Sequence, residues 1–189
     1  KKDVFVNSNF ETTSLVIGVE MLAIALAHLS RAVNYRLIRM CMPEFTHLPR
    51  FLAPRNGSAH GYDEVQNMLS CLDAENRYLT TPSSVDFYPM QGSIEDHASN
   101  LPLAVTKCRQ MVDNLRYLVG MEALFASQAV DLRKSDDNGD YVHLGKGTQK
   151  AYDVLRAVVP EMKSNRSVYD DINKAYQLVL EEKFLADGE

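Results

Sequence analysis

The chain has only three cysteines, Cys41, Cys71 and Cys108, an odd number, widely spaced and without a C-x-x-C pair. That argues against a disulfide framework or a zinc site and favours a reducing, cytoplasmic setting. Charge of one sign is not in excess: 20 Lys and Arg against 25 Asp and Glu leave a net charge of -5, with both signs interspersed. The basic footprint of a nucleic-acid partner is therefore missing. His47, His60 and His97 lack partners at a metal-ligand spacing such as H-x-x-x-H, so they read as hydrogen-bonded structural residues, His97 being placed to orient a helix start. Strand alternation, repeats and low-complexity tracts are absent, as is any serine or cysteine motif of the hydrolase kind.

What the chain does have is apolar helix. With 189 residues, 46% of them apolar, it is long enough for one sizeable core. Residues Glu11 to Met42 predict one long helix, within which Ser14 to Ala27 carries a single charge, Glu20, and apolar side chains all round. A bilayer needs about 20 apolar residues. Glu20, His28 and Arg31 interrupt the run, so burial in a bundle or oligomer is preferred to a membrane span.

Pro43, Pro49, Pro54 and Asn56-Gly57 predict an extended loop. A second helix is expected from Ser58 to Leu79, with Val65, Met68, Leu69 and Leu72 as its core stripe. A third should run from Ile94 to Leu132; Pro102 should kink or restart it, with Asn100 available to cap a fresh beginning. Its half from Tyr117 to Val130 is apolar on nearly every side. Ser135 to Asp140 reads as a solvated turn, because its glycine and glutamate positions do not fit a calcium loop. Gly145 to Thr148 is too short for a phosphate loop. Helices near Thr148–Val159 and Ser167–Phe184 close the chain, the second with the capping box Ser167-Val-Tyr-Asp170. The expected fold class is all-α, with long antiparallel helices forming part of a helical bundle and one helical domain over residues 1–189.

The polar connection from Glu75 to His97 is the candidate functional segment. Pro82, Pro89 and Gly92 exclude a continuous helix there, and long irregular connections in compact helical proteins are often functional. Ser93-Ile-Glu-Asp96 has the S-x-x-D pattern of a helix start. Taking Ser93 as N-cap puts Glu95 at the second helical position, where free amides and the macrodipole favour negative charge. An ionised Glu95 is ready to hold a substrate ammonium or to accept its proton. An acidic residue there can also simply stabilise the helix end, and that structural role suits Asp96 better.

The same run, ENRYLTTPSSVDFYPMQGSIEDH, resembles the active-site segment of the histidine ammonia-lyase family, the aromatic amino-acid lyases and aminomutases that use a methylidene-imidazolone electrophile. Asn9-Phe10 resembles the family's Asn-Phe motif. LPRFLAP (Leu48 to Pro54) and AVDLRK (Ala129 to Lys134) resemble two further signatures, in the right order. The likeness spans roughly Val6 to Lys134 and leaves 135–189 as a helical tail.

The resemblance implies that Glu95 holds the family's amine-side acidic or amide position and that Gln91 lines the site near the substrate's amino or ring end. It further implies that Phe10 stands beside the electrophile and the substrate, with Asn9 satisfying backbone groups around it. Two departures stand out. Ile94 occupies a position where Gln or Asn is expected, and Glu11-Thr12-Thr13 replaces the usual His-Gly or Gln-Gly. The first removes a polar contact to the substrate, and the second removes glycine's close backbone approach. Both hint at a less common member.

The family's electrophile forms from an internal Ala-Ser-Gly, a tripeptide that does not occur in these 189 residues. Its tyrosine base and its substrate-carboxylate arginine belong to the upstream half. The chain opens Lys-Lys-Asp-Val-Phe and runs directly into a family motif. The expectation is the C-terminal part of a longer lyase, inactive in isolation, completed by its N-terminal portion and assembled as a homotetramer. Such an enzyme removes ammonia from histidine, tyrosine or phenylalanine to give an α,β-unsaturated acid. A 2,3-aminomutase and a non-catalytic oligomerisation module are the alternatives, and no metal, nucleic-acid or membrane partner is expected.

Overall fold

The computed structural model describes residues 2–5, 11–55, 60–85, 88–95, 97–136 and 142–185. Among these residues six helices follow in order: α1 (Thr13–Met40), α2 (Pro43–Thr46), α3 (Val65–Leu79), α4 (Leu101–Lys134), α5 (Lys146–Arg156) and α6 (Tyr169–Leu180). Among the described residues there is no strand, and the all-α expectation holds. The tertiary bonds give the directions. Ser30 reaches Asp73 while Asn34 reaches Leu69, so α3 runs antiparallel to α1. Asn114 meets Asn76 while Phe125 stacks on Tyr62, so α3 is also antiparallel to α4. It follows that α1 and α4, the two longest helices, run parallel.

The 34-residue helix α4 is the axis of the molecule and touches α1, α3, α5 and α6. Its Leu118, Met121, Leu124 and Phe125 are fully buried, as the all-round apolar pattern predicts. Phe125 stacks on Tyr62 with ring centroids 4.4 Å apart. Gly120 lets α6 lie close, because a Cβ there would stand 3.0 Å from the backbone of Ala175 and Tyr176. Gln128 exchanges two bonds with the Met162 backbone, at 3.0 and 3.1 Å, and so fixes the segment between α5 and α6.

Helix α1 buries one face, Val16, Ala23, Val33 and Leu37 among it, against α3 and α4. Its outer face leaves Leu15, Ile17, Met21, Leu22 and Ile24 exposed in this chain. By length and composition alone α1 could cross a membrane.

Four expected boundaries need correction. The predicted extended loop after α1 contains helix α2 and a 3-10 turn at Arg50–Leu52. There Phe51 N–H bonds to Cys41 O and Tyr62 N–H bonds to Phe51 O, which leaves Gly61 no room for a Cβ. Helix α3 begins at Val65 and not Ser58, because the chain through Gly61–Glu64 turns to make those bonds. Helix α1 spans Thr13–Met40, two residues shorter at each end than Glu11 to Met42. Most consequential, α4 begins at Leu101, with Pro102 in its first turn and Asn100 at the N-cap position, where its side chain makes no capping bond and donates to the Ser83 carbonyl instead. The restart at Pro102 is what occurs, and residues 94–95 and 97–99 are not helical.

Candidate active site

The connection between α3 and α4 is built by stopping one helix, anchoring the chain and then turning it. Thr80 and Thr81 cap α3, their hydroxyls donating to the Arg77 and Tyr78 carbonyls, and Pro82 prevents further helix. Ser83 and Ser84 then close on Glu20, the lone charge of the apolar half of α1. Its carboxylate accepts two backbone N–H and two hydroxyl bonds of 2.6–3.0 Å. Burial disfavours ionisation of Glu20. The bonds from Ser84 and Ser83 outweigh it and hold the carboxyl below its ordinary 4.5.

Next comes a tight turn. Met90 and Glu95 exchange backbone bonds, at 2.9 and 3.3 Å, across a 3-10 turn at Gln91–Ser93. Gln91 (φ 52°) and Gly92 (φ 66°) lie in the left-handed region, which glycine adopts freely and glutamine does not. Glu95 is therefore presented by a turn and not by a helix N-terminus. The expected contribution of the macrodipole to Glu95 is overturned, since the first turn of α4 lies beyond Asn100.

Glu95 lines an open recess of ≈ 790 Å³ together with Ile94, His97, Ala98, Ser99, Glu11 and Thr12. Ile94 is 86% exposed, an apolar side chain directed to solvent beside a carboxylate. Gln91 is exposed at the head of the turn and is not among the residues lining this recess. Asn9 and Phe10 lie outside the described residues, as does Asp96. The structure thus brings Glu95 and Ile94 to one concave surface, beside the two residues that follow the Asn-Phe motif.

Sequence reasoning missed the contacts that Glu11 and His97 make in this lining. Glu11 Oε1 accepts the Thr13 N–H at 2.8 Å and the Thr13 hydroxyl at 2.5 Å, while its Oε2 lies 2.9 Å from His97 Nε2. His97 Nε2 is also 2.9 Å from Thr13 Oγ1, and the Thr12 and Ser99 hydroxyls meet at 2.6 Å. The Thr13 bonds, chiefly, hold the Glu11 carboxyl below 4.5, and the His97 ring adds to them against a small opposing effect of burial. The unusual Glu11-Thr12-Thr13 was the available signal. His47 and His60 lie elsewhere, His60 pairing with Asp63. Among the described residues no group of three His, Cys, Asp or Glu is arranged to hold a metal.

Chemically, the recess sets the Glu95 carboxylate beside the apolar side chains of Ile94 and Ala98, a surface suited to a cation that carries hydrocarbon. The model of the aromatic amino acid lyase family matches residues 1–157. Histidine ammonia-lyase of Alkaliphilus metalliredigens is 32% identical over 99% of this chain and 36% of its own length. The crystal structure of the ergothioneine-degrading enzyme ergothionase from Treponema denticola, complexed with desmethyl-ergothioneine sulfonic acid, superimposes with a TM-score of 0.87. It is 48% identical over 96% of this chain and 35% of that one. Phenylalanine aminomutase of Pantoea agglomerans gives a TM-score of 0.83 at 28% identity, over 94% of this chain and 34% of the other. The chain spans about a third of the length of these relatives. With the lyase motifs in order, the helical stack in place and the family model matched across 157 residues, this chain belongs to the aromatic amino acid lyase family.

Proposed function

We infer that the whole protein to which this chain contributes eliminates the α-nitrogen of an imidazole amino acid, and that its substrate is a histidine betaine of the ergothioneine type. The observation that carries this reading is 48% identity to an ergothioneine-degrading enzyme, against 32% to the histidine lyase, over almost the same span. Residue chemistry supports it. A primary ammonium donates hydrogen bonds and is best met by acceptors, whereas a trimethylammonium has no N–H and is best met by a negative charge and an apolar surface. Glu95 and Ile94, adjacent on the recess, offer that pair.

In this reading the Glu95 carboxylate holds the cationic nitrogen through its charge, Ile94 contacts its methyl groups, and Gln91, Phe10 and Asn9 shape the surroundings. A base from outside this chain removes the β-proton. The Cα–N bond then breaks with its electron pair leaving on nitrogen, giving trimethylamine and an α,β-unsaturated acid. The family's methylidene-imidazolone turns a primary amine into a leaving group; a quaternary nitrogen, lacking a lone pair, cannot add to it. The exposed apolar face of α1 would be covered by the rest of the enzyme, as a homotetramer.

Removal of ammonia from histidine is the second reading, favoured by the match to the Alkaliphilus enzyme along 99% of the chain. Incubating the complete enzyme with ergothioneine and with histidine separates the two. Trimethylamine from the first substrate supports the betaine reading; ammonia from the second alone, or a β-amino acid, overturns it. Replacing Glu95 by Ala should lower kcat/KM roughly 10²-fold with folding retained. Near-normal turnover would remove Glu95 from the reaction.

A further inference from the structure

We propose that Glu11 and His97 form a positioning clasp that sets the distance between the segment following the Asn-Phe motif and the turn that carries Glu95. The proposal rests on the reading of Glu95 as the cation-holding residue. Glu11 divides its two oxygens between two jobs. Oε1 accepts from Thr13 at the start of α1, and Oε2 meets His97 Nε2 across the recess at 2.9 Å. Thr12 and Ser99 tie the same two segments a second time, at 2.6 Å. These contacts join positions more than 80 residues apart and land within four residues of Glu95.

The clasp matters because it joins the chain on both sides of the recess, beyond the anchor that Glu20 gives Ser83 and Ser84. The Met90–Glu95 turn is secured internally by two backbone bonds, and its Gln91 and Ile94 are exposed. From the far side of the turn, His97 and Ser99 bond to residues 11–13 at the entry to α1. The Glu11-Thr12-Thr13 departure supplies all three partners, and a glycine at position 12 would lack the hydroxyl that Ser99 meets. Glu11 and His97 line the recess but are committed to one another, which makes them positioning residues. A misplacement of a charge by about 1 Å is enough to lower turnover by roughly 10²-fold.

The test is a double-mutant cycle in the complete enzyme, with kcat and KM read on ergothioneine and on histidine and the thermal midpoint measured alongside. Glu11→Ala and His97→Ala should each lower kcat at least tenfold, with KM changed less than threefold and the midpoint nearly unmoved. The double variant should be no worse than the poorer single one, the signature of one shared interaction. Glu11→Gln, which keeps an acceptor for Thr13 and a polar contact to His97, should recover at least a third of the lost kcat. Multiplicative losses in the double variant, or kcat within twofold of the parent in both single variants, overturn the clasp. Glu95→Ala, run in parallel, keeps the two readings apart. An inactive Glu95→Ala with unimpaired Glu11→Ala discards only the clasp, and an active Glu95→Ala discards the reading beneath it.

Discussion

Around Phe125 the chain is held by apolar packing, whereas around Glu95 it is held by side-chain hydrogen bonds. The first region surrounds Phe125 with buried Tyr62, Leu118, Met121 and Leu124, contacts that are individually weak, non-directional and numerous. The second is tied by Glu20 to Ser83 and Ser84, by Thr12 to Ser99, by Asn100 to the Ser83 carbonyl and by Glu11 and Thr13 to His97. Packing of the first kind gives stability that survives small displacements. Hydrogen bonds give little net stability each, about 0.5–1.5 kcal/mol, but they fix positions. A rigid stack thus carries a loop region whose geometry is set separately, and substitutions in the two regions should separate stability from turnover.

The sharpest separation is expected at Phe125. Truncation to Ala should cost about 3–5 kcal/mol and lower the thermal midpoint of the complete enzyme by the largest margin. Its kcat per folded site should be unchanged; a fall in kcat with an unmoved midpoint would erase the distinction between the regions. Glu20 comes next. Its folded-state carboxyl titrates below 4.5, so its contribution is complete above that pH and is lost as pH falls through the folded value. Glu20→Gln should remove about 1–2 kcal/mol of charge-assisted bonding at neutral pH. It should also flatten the acid limb of the stability curve, seen in midpoints measured between pH 3 and 7. An acid limb as steep in the variant as in the parent would assign it to other carboxylates. The smallest effect belongs to the Arg36–Glu122 pair on the outer surface of α1 and α4, with Arg36 half exposed. Arg36→Ala should change stability by less than about 1 kcal/mol and leave activity untouched.

The helix interiors were legible because burial imposes a period on the sequence. Val65 and Leu69 are buried as the stripe in α3 requires, and the apolar run around Leu118 and Phe125 is enclosed by α1, α3 and α6. The start of α4 was legible only as two competing signals. The S-x-x-D pattern at Ser93 is local, and the turn won because Met90 and Glu95 pair across it and Asn100 with Pro102 begins the helix instead. Glu95 stood out by its place after Ser93 and again through the family resemblance, Ile94 through the resemblance alone, and they share a surface. The partnership of Glu11 with His97 was not readable, because nothing in a one-dimensional pattern joins positions that far apart. What the sequence did offer was the break in the family motif at Glu11-Thr12-Thr13, visible without its reason. Asn9 and Phe10 stay at the level of the resemblance.

Glu20 has one more consequence. A cylinder with greasy side chains on every side has no preferred angle about its own axis, since any face buries nearly as well as the next. Successive helical residues are about 100° apart, so moving the carboxylate by a single position would swing it away from both serines. One ionised group among methyl-bearing neighbours therefore acts as a key for the apolar half of α1, turning that face toward Ser83 and Ser84, as Ser30 and Asn34 do for the half beyond it.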